Sequence, residues 1–283
     1  MAAAGLSFTL VVATVDRAAE LRPLLESLAV QTHSDFDVVV VDQNADDRVV
    51  AELAGFSSLR TSRVQAPRGL SRARNAALPH VAGDVVGFPD DDCEYPPDLL
   101  ERIASTLGTT AGLMGVTGRT AERDGGSSPS WPTGGFRISR DNVWNAACSA
   151  TMFLRRSVIE RIGPFDERLG LGAGTATGAG EEIDYLLRAI AAGAWIDYDP
   201  SLVVWHPLRD PSPEQLRTLG RRDGATVGYL LRKHRFPAGT LARMAARPLV
   251  GAALGLARCD PPRARYHAAT LKGRLRGYRR GGT

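Results

Sequence analysis

Cysteine is scarce in this chain of 283 residues. Cys93, Cys148 and Cys259 stand far apart with no C-x-x-C spacing, which argues against a disulfide framework or a cysteine zinc site and for a reducing compartment. Long apolar runs are lacking as well. None approaches the roughly 20 residues of a spanning helix. Residues 1–6 lack the basic stretch of a secretory leader, and the apolar run at 8–13 is only strand length, so the expected location is the cytoplasm. No internal repeat is visible. What the chain does have is 43% hydrophobic residues, enough to bury a proper core, and a length that fits one large domain or one domain with an appendage.

The formal net charge of +4 hides an asymmetry. From Arg217 onward there are 16 Lys and Arg against 2 Asp and Glu, a net of +14, which leaves −10 on the rest. A basic tail on an acidic body suggests an anionic partner: a membrane surface at the inner face of the plasma membrane, a lipid-linked phosphate, or nucleic acid. No recognition motif or interleaved aromatic surface accompanies the charge, so nucleic acid is not expected. Residues 244–258 are too short to span a bilayer. Flanked by arginines, they suit an interfacial amphipathic element, or packing on the rest of the chain or a second subunit.

Strand and helix patterns alternate through the first half. Strands are expected at 8–13, 36–41, 62–66 and 84–88. Helices are expected from Leu21 (with Leu24, Leu25 and Leu28 at helical spacing), over 69–78 and over 98–107. Such alternation implies a mostly parallel sheet covered by helices, which binds ligands beyond the carboxyl ends of its strands. Residues 125–135 form a glycine- and serine-rich loop. Beyond it come a strand at 151–154, a short helix through Ile162, a glycine-dense stretch at 169–180, a helix at 181–192, and strands at 194–198 and 202–206. Ser212-Pro-Glu-Gln215 carries a capping box, so a helix starts there.

The residues carrying chemistry cluster at strand ends. Asp90, Asp91 and Asp92 repel one another unless a cation sits among them. Their oxygens suit Mg2+ or Mn2+, which takes one or two carboxylates plus a substrate phosphate. Strand alternation lets Asp90 and Asp92 share a side while Asp91 points elsewhere. Asp42, ending a run of four valines, can accept from the imide N–H of a uracil-like base. The glycine turn at Gly69 leads into a helix bearing Arg72 and Arg74, groups that favour phosphate oxygens. Glu181, Glu182 and Asp184 open a helix after the glycines, where acids are favoured by the dipole and where a general base also belongs. His206 offers an imidazole to a metal or a structural hydrogen bond. Trp144 and Asn145 offer a bound partner an aromatic face for stacking and an amide, and core packing suits Trp144 equally well.

In their order and spacing, Val11-Val-Ala-Thr-Val-Asp-Arg17, Val39-Val-Val-Asp42-Gln-Asn44, Gly69-Leu-Ser-Arg-Ala-Arg74-Asn75, the three aspartates, Gly163-Pro-Phe-Asp166-Glu167 and Gly180-Glu181-Glu182-Ile-Asp184 resemble family 2 glycosyltransferases of the GT-A fold. The resemblance covers roughly residues 7–210. It implies an α/β GT-A domain over 1–210, with a nucleotide-sugar half to about 118 and an acceptor half from 119, followed by a basic helical extension over 211–283. It also implies a metal-dependent, inverting transfer from a nucleoside-diphosphate-sugar, UDP favoured, to a saccharide or lipid-linked acceptor, in bacterial surface polysaccharide or glycolipid synthesis. On that pattern Thr14, Asp16 and Asp42 line the base pocket, and Arg74 and Asn75 meet the donor. Asp90 and Asp91 contact the nucleotide-sugar, Asp92 holds the metal with His206, and Glu182 is the base, with Asp184 and Glu181 beside it. The family usually has Asp where Glu182 stands. Two other readings remain open at this point. A sugar-phosphate nucleotidyltransferase would want glycines after the first strand, and residues 13–17 lack them. A catalytically inactive binding module would not need intact acids at Asp90, Asp92 and Glu182.

Overall fold

The valine-rich runs form β1 (Phe8–Thr14) and β2 (Phe36–Asp42), paired in parallel from Phe8 opposite Phe36 to Thr14 opposite Asp42. Successive side chains alternate faces. Phe8, Leu10, Val12, Val38 and Val40 enter one core, where α1 (Leu21–Ala29) buries Leu21, Leu24, Leu25 and Leu28. Each such side chain contributes about 1.5–3 kcal/mol of transfer free energy. Val11, Val39 and Val41, on the other face of the sheet, are equally buried.

This computed structural model describes residues 5–126, 131–208 and 211–281. The tip of the expected loop, residues 127–130, the expected boundary at 210, and residues 1–4 and 282–283 lie outside the described residues. Two units divide the chain. One comprises Met1–Arg68, Arg72–Phe165 and Tyr185–Leu208; the other comprises Gly69–Ser71, Asp166–Asp184 and Arg209–Thr283.

The first unit contains an eight-stranded sheet in the order β3-β2-β1-β4-β7-β5-β8-β6. After β2 come α2 (Arg48–Ala54), β3 (Thr61–Gln65), α3 (Leu70–Ala77), β4 (Val85–Gly87) and α4 (Leu99–Thr109). Then follow β5 (Leu113–Ala121), β6 (Phe136–Arg137), β7 (Phe153–Arg155), α5 (Arg156–Ile162), α6 (Glu181–Ala191) and β8 (Trp195–Trp205). Strands β1 to β4 run parallel; β7 enters antiparallel between β4 and β5. Three elements escape the sequence pattern. In α2 only Val49 is buried, so no apolar stripe announces it. β6 is two residues long. β5 contains Gly115 and Gly118, which normally weaken a strand. Here neighbours crowd both: a Cβ on Gly115 would lie 2.5 Å from a Leu154 methyl, and one on Gly118 2.0 Å from the Leu202 carbonyl. The two strands expected at 194–198 and 202–206 are one. Pro200, which cannot donate to a ladder, sits where the β5–β8 register shifts, and its carbonyl accepts from Arg119 Nε at 2.9 Å.

In the second unit, α7 (Pro213–Lys233) starts at the expected capping box, with Ser212 and Gln215 bonded reciprocally. It meets α9 (Pro261–Arg280) through glycines spaced by four: Gly220, Gly224 and Gly228 on one helix, Gly273 and Gly277 on the other. A Cβ on Gly228 would stand 1.9 Å from the Arg274 carbonyl, and one on Gly277 1.9 Å from that of Ala225. Between them in sequence, α8 (Ala238–Ala257) carries Pro248 in its interior. That proline has no N–H for the carbonyl of Met244, four residues back. The half-buried Arg274 of α9 donates a guanidinium N–H to that same carbonyl.

An ion-pair network ties α7 to the glycine-rich segment of the same unit. Lys233 Nζ lies 2.7 Å from both Asp166 Oδ2 and Asp184 Oδ1, and Arg168 pairs with Asp166. Burial pushes the Asp166 carboxyl up, but the hydrogen bonds from Arg168 and Lys233 outweigh it and hold the group well below the usual carboxylate range. A depressed folded value stabilises above the unfolded value of about 4 and is lost as pH falls below it. Asp166→Asn is therefore expected to lower the Tm at neutral pH, with the gap to wild type shrinking as the pH drops below about 4. Thermal unfolding of both proteins across that range checks this; a pH-independent gap would remove the ion pairs from the explanation.

Candidate active site

Because β1, β2 and β4 are parallel, their carboxyl ends lie on one edge of the first unit's sheet. A bridge from Ala13 to Asp90 continues the β1–β4 pairing beyond the strand. The chain then turns through Asp91 and Asp92, the Cys93 N–H donating to the Asp90 carbonyl at 3.3 Å, so a turn and not the expected strand alternation sets the three carboxylates. Asp91 is buried and faces β1: Thr14 Oγ1 donates to its Oδ2 at 2.8 Å, and Arg17 Nη1 bridges its Oδ1 at 3.0 Å and Asp92 Oδ2 at 2.9 Å. Burial raises the Asp91 carboxyl above its ordinary range, against the pull of Thr14 and Arg17. Asp92 and Asp90 turn toward His206. The imidazole Nε2 is 3.2 Å from Asp92 Oδ1 and 3.9 Å from Asp90 Oδ2. Its Nδ1 is 3.0 Å from the Pro207 carbonyl, which fixes the ring with Nε2 toward the aspartates. The hydrogen bond to Asp92 raises the His206 pKa.

Two more groups hold Asp90. Ser149 Oγ donates to its Oδ1 at 3.3 Å, and Arg74 Nη2 lies 3.7 Å from the same oxygen. Arg74 is 1% exposed and lies against the rings of Phe88 and Phe165, 5.7 and 5.5 Å from their centroids. Its neighbour Asn75 clamps the backbone of Phe165 with both ends of its amide, at 2.7 and 3.0 Å.

The end of β2 is equally organised. Asp42, 1% exposed, accepts from the Asn44 N–H at 2.9 Å and side-chain amide at 2.7 Å, while its other oxygen takes Arg63 Nε at 2.8 Å. Each carboxylate oxygen keeps further acceptor capacity. Asn44 Oδ1 in turn accepts from the N–H of Asp16 at 2.7 Å, and Asp16 pairs with Arg68. Asp16 has φ 59°, a left-handed conformation that Asp tolerates better than most residues. Thr14, Asp16, Asp42, Arg74, Asp90, Asp91, Asp92 and His206 thus gather in the first unit around these strand ends. Sequence reasoning passed over Arg17, Asn44, Arg63 and Ser149. The first two sit inside the quoted motifs, but nothing in spacing singles out a side chain that serves its neighbours. Trp144 and Asn145 lie in a 3-10 turn (Val143–Asn145), Trp144 half-buried and Asn145 exposed.

The remaining acids open α6 and belong to the second unit. Gly180, with φ 74°, turns the chain into the helix. Asp184 is fully buried; besides Lys233, it holds His234 Nε2 at 2.7 Å. Glu181 is 5% exposed, whereas Glu182 is only partly buried. Of the three, Glu182 keeps the most access to solvent.

Carboxylate oxygens with a neutral imidazole form a donor set that suits a divalent cation such as Mn2+ or Mg2+. Among the described residues no three His, Cys, Asp or Glu close a metal site by themselves. Mg2+ ordinarily takes only one or two carboxylates and completes its shell with water and bound phosphate.

Comparison with known proteins agrees with this geometry. The family described as Glycosyl transferase family 2 matches residues 9–163. The succinoglycan biosynthesis protein ExoM of Rhizobium meliloti is 29% identical over 233 residues, 76% of this chain and 72% of its own. Among solved structures, the mannosyltransferase PcManGT of Pyrobaculum calidifontis, in complex with GDP-Man and Mn2+, superposes with a TM-score of 0.65 at 17% identity. That match covers 97% of this chain and 87% of that one. S. aureus TarS 1–349 in complex with UDP-GlcNAc gives 0.58 at 16% identity over 98% and 92%. This chain spans 55% of a longer TarS chain. These likenesses identify the fold as GT-A.

Proposed function

The chain belongs to glycosyl transferase family 2, and on that premise we propose that it moves a sugar from a nucleoside-diphosphate-sugar to an acceptor hydroxyl with inversion at the anomeric carbon. The observation that carries the reading is the cluster at the end of β4, where Asp90 and Asp92 face His206, Asp91 meets Thr14, and Arg17 bridges Asp91 and Asp92. In this reading the side shared by Asp92 and His206 meets the diphosphate, and Asp91 meets the nucleoside. Solved neighbours of the same fold bind UDP-GlcNAc and GDP-Man, which supports this class of donor.

In this reading Asp42, held by Asn44 and Arg63, receives the base, with Thr14 and Asp16 beside it. Asp90, steadied by Ser149 and Arg74, and Asp91 hold the nucleotide-sugar. Asn75 acts through the turn it clamps. Asp92 and His206 hold Mn2+ or Mg2+, which when bound supplies countercharge for the departing diphosphate. Glu182 takes the proton from the acceptor hydroxyl as that oxygen attacks, and the leaving diphosphate carries away the bonding pair. Asp184, held by Lys233 and His234, positions the start of α6. Trp144 and Asn145 meet the acceptor, a saccharide or lipid-linked sugar of a surface polysaccharide or glycolipid. ExoM, a succinoglycan biosynthesis protein, supports that setting.

Calorimetric titration with UDP, GDP, dTDP and CDP, each with Mn2+ and with chelator, tests the reading. One nucleotide is expected to bind with Mn2+, and chelator or Asp92→Asn to weaken it by at least about 100-fold, a loss of some 2.7 kcal/mol. Folded protein that binds none of the four would overturn the donor assignment.

A further inference from the structure

Helix α8 has an outer face that no soluble helix needs. Toward α9 it buries Gly251 against His267 and Gly255 against Ala264. On the other side Ala242, Ala246, Leu249, Val250, Ala253 and Leu256 are exposed, Leu249 at 59%, Val250 at 56% and Leu256 at 72%. At 100° per residue these six positions make one stripe. No charged residue interrupts it; Arg243, Arg247 and Arg258, all exposed, lie off it. Surface helices of soluble proteins put charge on this side, and a contiguous apolar patch left to water marks a docking surface.

Charge chooses the occupant. Residues 217–283 carry 16 Lys and Arg against 2 Asp and Glu, among them the exposed Lys272, Arg276 and Arg279 of α9. A second copy would bring the same positive charge to the contact and be repelled. An anionic lipid surface offers phosphates to the guanidiniums and acyl chains to the leucines. No helix among the described residues is long and apolar enough to cross a membrane, so insertion is in the plane. We propose that α8 docks this chain on anionic phospholipid, its stripe of Leu249, Val250 and Leu256 sunk below the headgroups and its arginines among the phosphates. The inference uses the second unit alone and stands independently of the transferase reading.

Flotation of the full chain with vesicles of phosphatidylcholine, alone or mixed with phosphatidylglycerol, tests it. Binding is expected to be about tenfold or more stronger on the mixed vesicles, and Leu249→Ser with Leu256→Ser to weaken it about tenfold at unchanged Tm. Arg243→Glu with Arg258→Glu should abolish the preference for phosphatidylglycerol. In a second variant, Leu249→Trp, the emission of the new indole should shift to the blue on adding mixed vesicles and stay unshifted with phosphatidylcholine. Three results overturn the proposal: no flotation of wild type, flotation of the serine variant equal to wild type, or sedimentation as a dimer that the serine substitutions dissociate.

Discussion

Replacing Glu182 by glutamine is expected to leave donor binding intact and to slow sugar transfer about a thousandfold. Glutamine keeps the length and shape of the side chain and its place in the first turn of α6, so packing and helix start survive. What it loses is the ability to take a proton at neutral pH. Two other carboxylates stand within the same turn, and their surroundings distinguish them. Glu181 is buried, and Asp184 has Lys233 and His234 each at 2.7 Å. Removing the Asp184 charge strands Lys233 with Asp166 alone, so Asp184→Asn is expected to lower the Tm, whereas Glu182→Gln should not. Transfer rate, donor titration and thermal unfolding on both variants separate the roles. A folded Asp184→Asn protein that binds donor but does not turn over, beside an active Glu182→Gln, would reverse the assignment.

Gly277→Ala is expected to destabilise the second unit strongly. Within a helix, Gly to Ala ordinarily gains about 0.5–1 kcal/mol. Here the added Cβ would lie 1.9 Å from the Ala225 carbonyl, a backbone atom that cannot swing aside. The helices must separate, breaking the fit at Gly224, Gly228 and Gly273 as well. Overpacking of this kind costs about 3 kcal/mol and outweighs the propensity gain. Gly239→Ala on α8, whose Cβ would meet nothing within 4 Å, serves as the control and should be neutral or slightly stabilising. Denaturant unfolding of the two variants checks the prediction; equal stability would mean that α7 and α9 are not so closely apposed.

The parts of this molecule legible in its sequence share a property: their signal is local, a spacing or a run of one kind of residue within the element itself. Leu21, Leu24, Leu25 and Leu28 announce α1, and the valines of 38–41 announce β2. The capping box of Ser212 and Gln215 was readable because its chemistry is local. Family motifs supplied the strand-end acids. What escaped was decided by neighbours remote in sequence. Gly115 and Gly118 argue against a strand until Leu154 and Leu202 arrive beside them, and Pro200 splits β8 only until β5 is seen to shift with it. The glycines of α7 and α9 look like breaks until both helices are considered together. At the site, Arg17, Ser149 and Arg63 serve acids whose own motifs are conspicuous, and support of that kind leaves no periodic trace.

The Pro248–Arg274 pairing has a consequence for how the protein is made. A helix that contains proline is short of one internal bond, and the group that replaces it lies 26 positions later in the chain. While synthesis proceeds, α8 can form but holds an unanswered carbonyl at Met244 until α9 has emerged and brought Arg274 to it. Completion of α8 thereby waits on α9, and the bond that Pro248 leaves out is made only once both helices are present. A chain interrupted between Cys259 and Arg274 would be born with its second unit unfinished.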